Sequence, residues 1–151
     1  MRVGLISDTH GLLRPEALAF LAGCDHIVHG GDIGAPDILE RLARIAPLTT
    51  VRGNNDTAAW ARGIPVTARI DLGGVSLYAI HDVKELDIDP AASGVRVVMS
   101  GHSHRPSHHE RGGVLYVNPG SAGRRRFSLP ISAGELLIEG DRVQVRLVDL
   151  V

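Results

Sequence analysis

Three short runs rich in β-formers, Arg2–Ser7, His26–His29 and Leu48–Val51, alternate with two segments of helical spacing. That alternation restricts the first third of the chain to a β-α-β-α-β path. The helical segments are Pro15–Leu21 and Pro36–Ile45. Each opens on a proline, which suits the first helical position, and Ile38, Leu39, Leu42 and Ile45 share one face of the second. Strands joined through helices run parallel, because each crossover returns the chain in its original direction.

After the third strand the pattern changes. Further β-rich runs lie at Thr67–Leu72, Val75–Ile80, Val95–Met99, Val114–Val117, Glu135–Ile138 and Val143–Val148. Two-residue turns, Gly73-Gly74, Gly112-Gly113 and Gly140-Asp141, mark antiparallel hairpins among them. A parallel opening followed by hairpins predicts an α/β fold, a layered α-β-β-α sandwich of two mixed sheets flanked by helices. With 151 residues and no linker, repeat or low-complexity stretch, the chain is expected to form one domain over residues 1–151.

Sixteen basic and seventeen acidic residues leave a formal charge of -1, so no overall field draws the protein to nucleic acid or anionic lipid. Five aromatic residues, Phe20, Trp60, Tyr78, Tyr116 and Phe127, make a poor stacking platform, and long nucleic acid is not an expected partner. No apolar stretch is long enough to span a membrane, and the opening run of Met1–Asp8 is too short for an export signal. Cys24 is the only cysteine, which excludes an internal disulfide and suits a reducing cytoplasm.

Functional side chains in α/β folds gather in loops at the carboxyl ends of strands. Read in order, those positions hold Asp8-Thr9-His10, Gly30-Gly31-Asp32, Gly53-Asn54-Asn55-Asp56, His81-Asp82 and Gly101-His102-Ser103-His104. In extended backbone, residues two apart point the same way, so Asp8 with His10 and His102 with His104 are expected to act as pairs. Together with Asp32, Asn54 and His81 they form a nitrogen and oxygen donor set without sulfur, suited to Mn, Fe, Zn or Ni. Seven donors exceed the need of one ion and fit two ions about 3.5–4 Å apart, the arrangement that clamps attacking and leaving oxygens in phosphoryl displacement.

Each cluster taken singly has a plainer reading. Gly-Asp before a helix is also a helix-capping signal, and Gly-Asn-Asn-Asp is also the composition of a turn. His26, His29, His108 and His109 belong to no complete motif and read as structural or exposed, with His29 close enough to Asp32 to support it. Arg124-Arg125-Arg126 offers guanidinium to a substrate phosphate or else forms a solvated loop.

The ordered set Asp-x-His, Gly-Asp, Gly-Asn-x-Asp, His and Gly-His-x-His resembles the calcineurin-like metallophosphoesterases. Asn118-Pro119-Gly120-Ser121 looks like their small YfcE-like phosphodiesterase branch. The resemblance implies that Asp8, His10 and His104 hold one metal, that Asn54, His81 and His102 hold a second, and that Asp32 bridges them. It implies two divalent ions, manganese first, with nickel, zinc or iron as alternatives. The expected activity is hydrolysis of small or activated phosphodiesters by in-line attack of a metal-bound hydroxide, with Asp32, Asn54 and His10 catalytic and Asn55, Arg124 and Arg125 touching substrate. Asn55 departs from the family, which commonly has histidine there as acid or transition-state donor, and an amide delivers no proton at ordinary pH. Alternatives of the same fold are a phosphomonoesterase, a protein serine/threonine phosphatase, or a non-catalytic scaffold like the retromer subunit. The expected partner is a small phosphoester, and a homo-oligomer is compatible with the sequence.

Overall fold

The structure, a computed structural model, describes residues 1–151. In chain order its elements are β1 (Arg2–Ile6), α1 (Pro15–Leu21), β2 (His26–His29), α2 (Pro36–Ala43), β3 (Leu48–Thr50), β4 (Thr67–Leu72), β5 (Val75–Ile80), β6 (Val97–Met99), β7 (Ser107–Arg111), β8 (Val114–Asn118), β9 (Ser132–Glu139) and β10 (Arg142–Asp149). Single 3₁₀ turns form at Ala59–Ala61 and Val83–Glu85.

Two five-stranded mixed sheets result. The first runs β10-β9-β1-β2-β3 and the second β4-β5-β6-β8-β7. As expected, β1, β2 and β3 are parallel, and the three glycine-containing turns close antiparallel pairs, with Leu72 opposite Val75, Arg111 opposite Val114 and Glu139 opposite Arg142. The sheets pack face to face through Val3, Leu5, Val28, Leu77, Met99 and Leu136, all fully buried or nearly so. Removing that apolar surface from water is the main force holding the sheets together, at roughly 1.5–3 kcal/mol for each large side chain.

Helices α1 and α2 cover the outer face of the first sheet. Ala17 and Leu21, then Ile38 and Leu42, are spaced four apart and so fall on the single buried stripe of each helix. Beyond the second sheet the cover is thinner: Leu86 and Ile88, just after the second 3₁₀ turn, pack on Ile80, Val95, Val98 and Val114. No helix is long and apolar enough to cross a membrane.

Several boundaries move from the sequence expectation. Helix α2 stops at Ala43, and β6 begins at Val97 because the Val95 N–H turns back to the Pro90 carbonyl. Strands β9 and β10 outrun their apolar cores because each supplies the other with ladder partners from Ser132 to Glu139. Strand β7, whose five residues are all exposed, carries no apolar alternation to reveal it.

Candidate metal centre

The loops that leave β1, β2, β3, β5 and β6 meet where the two sheets adjoin. Asp8, Asp32, His81 and His104 are buried there, His10 is half-buried, and Asn54 and His102 are exposed. Six non-glycine residues of the chain have positive φ, and five of them are expected ligands: Asp8 (φ 53), His10 (46), Asp32 (55), His102 (71) and His104 (62). Left-handed backbone is costly for side chains with a Cβ and clusters at functional sites. Asp8 and His10 still reach one donor group, as expected, but neither they nor His102 and His104 lie on extended backbone, and His102 and His104 do not converge. These pairs sit on left-handed turns beyond the strand ends, so side-chain direction is set by the turn rather than by strand alternation. The two histidines accordingly diverge, His104 into the interior and His102 to the rim.

At the inner end, three donor atoms surround one point. His10 Nε2 is 3.3 Å from His104 Nε2, and Asp8 Oδ1 is 3.4 Å from His104 Nε2 and 3.8 Å from His10 Nε2. A second group joins Asp8 Oδ1, Asp32 Oδ2 and His81 Nε2, with 3.2 Å between Asp32 and His81 and 3.8 Å between Asp8 and His81. Asp32 Oδ2 also stands 3.7 Å from His10 Nε2, so each carboxylate lies between imidazoles of both groups. Donors held about 2.0–2.2 Å from a common ion stand roughly 3–4 Å apart, which these separations match. Asp8 Oδ1, His81 Nε2 and His104 Nδ1 are buried polar atoms without a hydrogen-bond partner, an expensive state unless a cation takes up the first two.

The surrounding chain aims these atoms. Ser7 Oγ and the His102 N–H both donate to Asp8 Oδ2, which leaves Oδ1 facing the site. His81 Nδ1–H donates to the Gly30 carbonyl at 2.7 Å, which fixes the ring and turns Nε2 toward Asp8 and Asp32. The Asn55 N–H donates to Asp32 Oδ1 and the Asn55 amide to Asp32 Oδ2, so that side chain braces the carboxylate. Two glycines admit the close approach: a Cβ at Gly53 would lie 2.1 Å from Asp32 Oδ1, and one at Gly101 would lie 2.1 Å from Ser7 Oγ and 2.5 Å from Asp8 Oδ2.

Burial alone would push the His81 imidazolium down and the Asp32 carboxyl up. Their mutual contact outweighs it: Asp32, Asp8 and the Gly30 carbonyl hold His81 up at about 9, and His81 with the Asn55 N–H holds Asp32 down at about 2. His29 behaves oppositely, since complete burial pushes it down to about 4. It is therefore neutral, with Nδ1 accepting from the Gly31 N–H and Nε2–H donating to Thr9 Oγ1, whose own hydroxyl donates to the Ile33 carbonyl. His29 thus bridges the loops after β1 and β2, and makes no hydrogen bond to Asp32, the residue it was expected to support.

Asn54 and His102 stand at the rim, joined to each other through Oδ1 and Nδ1 at 3.2 Å, with Asp82 Oδ2 3.7 Å from His102 Nε2. Asp32 is not a helix cap: Ala35 occupies that position of α2. The segment Asn118–Gly123 abuts the centre, with Asn118 Nδ2 donating to Gly101 O and Ser103 Oγ, and Ser121 Oγ to Asp8 O. Arg124 and Arg125 lie just beyond it and are exposed; Arg125 donates to Leu129 O of its own loop, and neither lines the cleft beside the centre.

That cleft, of about 740 Å³, is lined instead by Arg52 and Arg62, together with Asn54, His81, Asp82 and His102. Neither arginine, nor Asp56, is among the site residues expected from the sequence. Buried Asp56 accepts the N–H groups of Ile33, Gly34 and Gly53 and ties the loop after β2 to the loop after β3.

Comparison with known proteins gives these loops a context. A family profile described as "Calcineurin-like phosphoesterase superfamily domain" matches residues 1–141. A "Probable metallophosphoesterase" of Methanothermobacter thermautotrophicus is 32% identical over 160 aligned positions, which cover 98% of this chain and 92% of that protein. Among solved structures, vacuolar protein sorting 29 from Cryptosporidium parvum superposes with a TM-score of 0.84 at 21% identity, covering 98% of this chain and 90% of that one. A protein described as a novel archaeal phosphodiesterase superposes with a TM-score of 0.80, also at 21% identity, covering 98% of this chain and all (100%) of that one. At such identities the two structures share the fold.

Proposed function

The chain belongs to the calcineurin-like phosphoesterase superfamily, and from that membership we propose that it hydrolyses small or activated phosphodiesters with two divalent cations, manganese foremost. The observation that carries the reading is the convergence of two donor groups on Asp8 Oδ1, with Asp8 Oδ1 and His81 Nε2 buried and otherwise unpartnered. In this reading Asp8, His10 and His104 hold one ion and Asn54, His81 and His102 the other. Asp32 is shared, since Oδ2 lies near one imidazole of each set. When bound, the ions would supply Lewis acidity toward phosphate oxygens and make a bound water more acidic.

The chain's own contribution is orientation. Asn55 braces Asp32, Ser7 and the His102 N–H brace Asp8, and Gly30 fixes His81. No titrating side chain stands at position 55 to protonate the departing oxygen, which favours good leaving groups and diesters of acidic alcohols.

The test is to load purified protein with Mn, Ni, Zn or Mg, count bound ions by elemental analysis, and assay mono- and diesters. Two ions per chain, diester turnover above monoester turnover, and loss of activity on chelation are expected. Asp32→Asn should lower turnover at least about a hundredfold and reduce the metal content. Protein that takes up no transition metal after soaking in Mn would overturn the hydrolase reading in favour of a protein-binding scaffold.

A further inference from the structure

We propose that the cleft beside the metal centre selects phosphodiesters whose non-reacting part carries a second anionic group, received by Arg52 and Arg62. This rests on the phosphoesterase reading above. Arg52 follows β3 and Arg62 follows the 3₁₀ turn Ala59–Ala61, so both stand on the side of the cleft built by residues 52–67. The segment after β5 contributes Asp82, Glu85 and Asp87 to the same lining. Asn54, His81 and His102 line the same cleft, which makes it continuous with the proposed ion sites.

Six arginines bond to protein acceptors through their guanidinium groups, among them Arg2 and Arg146 to Glu135 and Arg14 to Gly123 O; of the nine that do not, only Arg52 and Arg62 line this cleft. Their guanidinium groups bond to no protein acceptor, although Arg52 is half-buried and four carboxylates line the same cleft, of which Asp56 is already held by backbone N–H groups. Opposite charges that line one cleft without forming an ion pair leave the guanidinium groups free for a ligand. A guanidinium there matches a phosphate or carboxylate through paired N–H donors, whereas the carboxylates repel an anion and suit hydroxyl groups. The same repulsion works against a polyanion that continues past the cleft, so the second anion belongs to a small molecule.

Two nitrophenyl diesters differing in one phosphate test this directly: thymidine 5′-(p-nitrophenyl phosphate) and its 3′-phosphorylated counterpart. With Mn-loaded protein, kcat/KM should favour the 3′-phosphorylated substrate by about tenfold, mainly through KM, and Arg52→Gln combined with Arg62→Gln should bring the ratio near one. Calorimetric titration with thymidine 3′,5′-bisphosphate and thymidine 5′-monophosphate reads the same preference without turnover, again about tenfold in Kd and again lost in the double variant. A preference in binding but no turnover of either diester would uphold the anion site and remove the hydrolase reading. Turnover of both diesters with no preference, or a preference that survives the double substitution, would overturn the anion site while leaving the hydrolase reading intact.

Discussion

Asp8 divides its carboxylate: one oxygen is held by Ser7 and the His102 N–H, while the other is buried and unpaired, the state the proposed cation would relieve. Manganese at about a hundred times its Kd should stabilise the fold by about 2.7 kcal/mol, or roughly 5–11 °C in melting temperature for a chain of this size. Asp8→Asn should lose most of that rise in a thermal melt; an undiminished rise would remove Asp8 from the ion site. Asn55 invites a kinetic comparison, because its amide already donates to Asp32 and does not titrate. Turnover of aryl and alkyl diesters should fall steeply with rising leaving-group pKa. Asn55→His should recover about 10²–10⁴-fold selectively on poor leaving groups, provided the imidazole reaches the departing oxygen. A slope equally flat in parent and variant, with chemistry limiting, would refute this account. The residues proposed as ligands were legible as candidates in sequence because each follows a strand end. Asp56 was not, because Gly-Asn-Asn-Asp reads as a turn and two of its three donors, Ile33 and Gly34, lie more than 20 positions away.

At the scale of elements, Asp56 joins the ends of β2 and β3. Asp56→Ala should cost roughly 2–4 kcal/mol in denaturant unfolding, since buried N–H groups of Ile33 and Gly53 lose their acceptor. The sheet edge built from β1, β9 and β10 depends on another buried carboxylate. Burial pushes the Glu135 carboxyl up, but bonds from Arg2 and Arg146 outweigh it and hold it below the usual range. A carboxyl depressed in the folded state stabilises above its unfolded pKa of about 4.3, and that contribution is lost as pH falls through the folded value. Glu135→Gln should therefore cost about 1–2 kcal/mol at pH 7, a deficit that shrinks in urea melts as pH is lowered below about 4.3. A constant deficit across that range would contradict the assignment. The hairpins were legible because two adjacent turn residues force a tight reversal. Strand β7 was not, since an exposed edge strand needs no apolar side chains to pair with β8.

For the whole molecule, the sequence implied two mixed sheets, yet strand order depends on pairings such as Gly4 with Glu135, whose separation in the chain leaves no local trace. The left-handed backbone at Asp8, His10, Asp32, His102 and His104 was equally invisible, because Asp and His occupy many conformations and only the folded loops select this one. It has a consequence for mutational scanning. At ordinary positions alanine outranks glycine, because glycine adds freedom to the unfolded chain; where φ is positive, the Cβ of alanine is itself the burden. In a library of single substitutions selected for folding alone, in chelator, positions 8, 10, 32, 102 and 104 should rank glycine above alanine by roughly 0.5–1 kcal/mol.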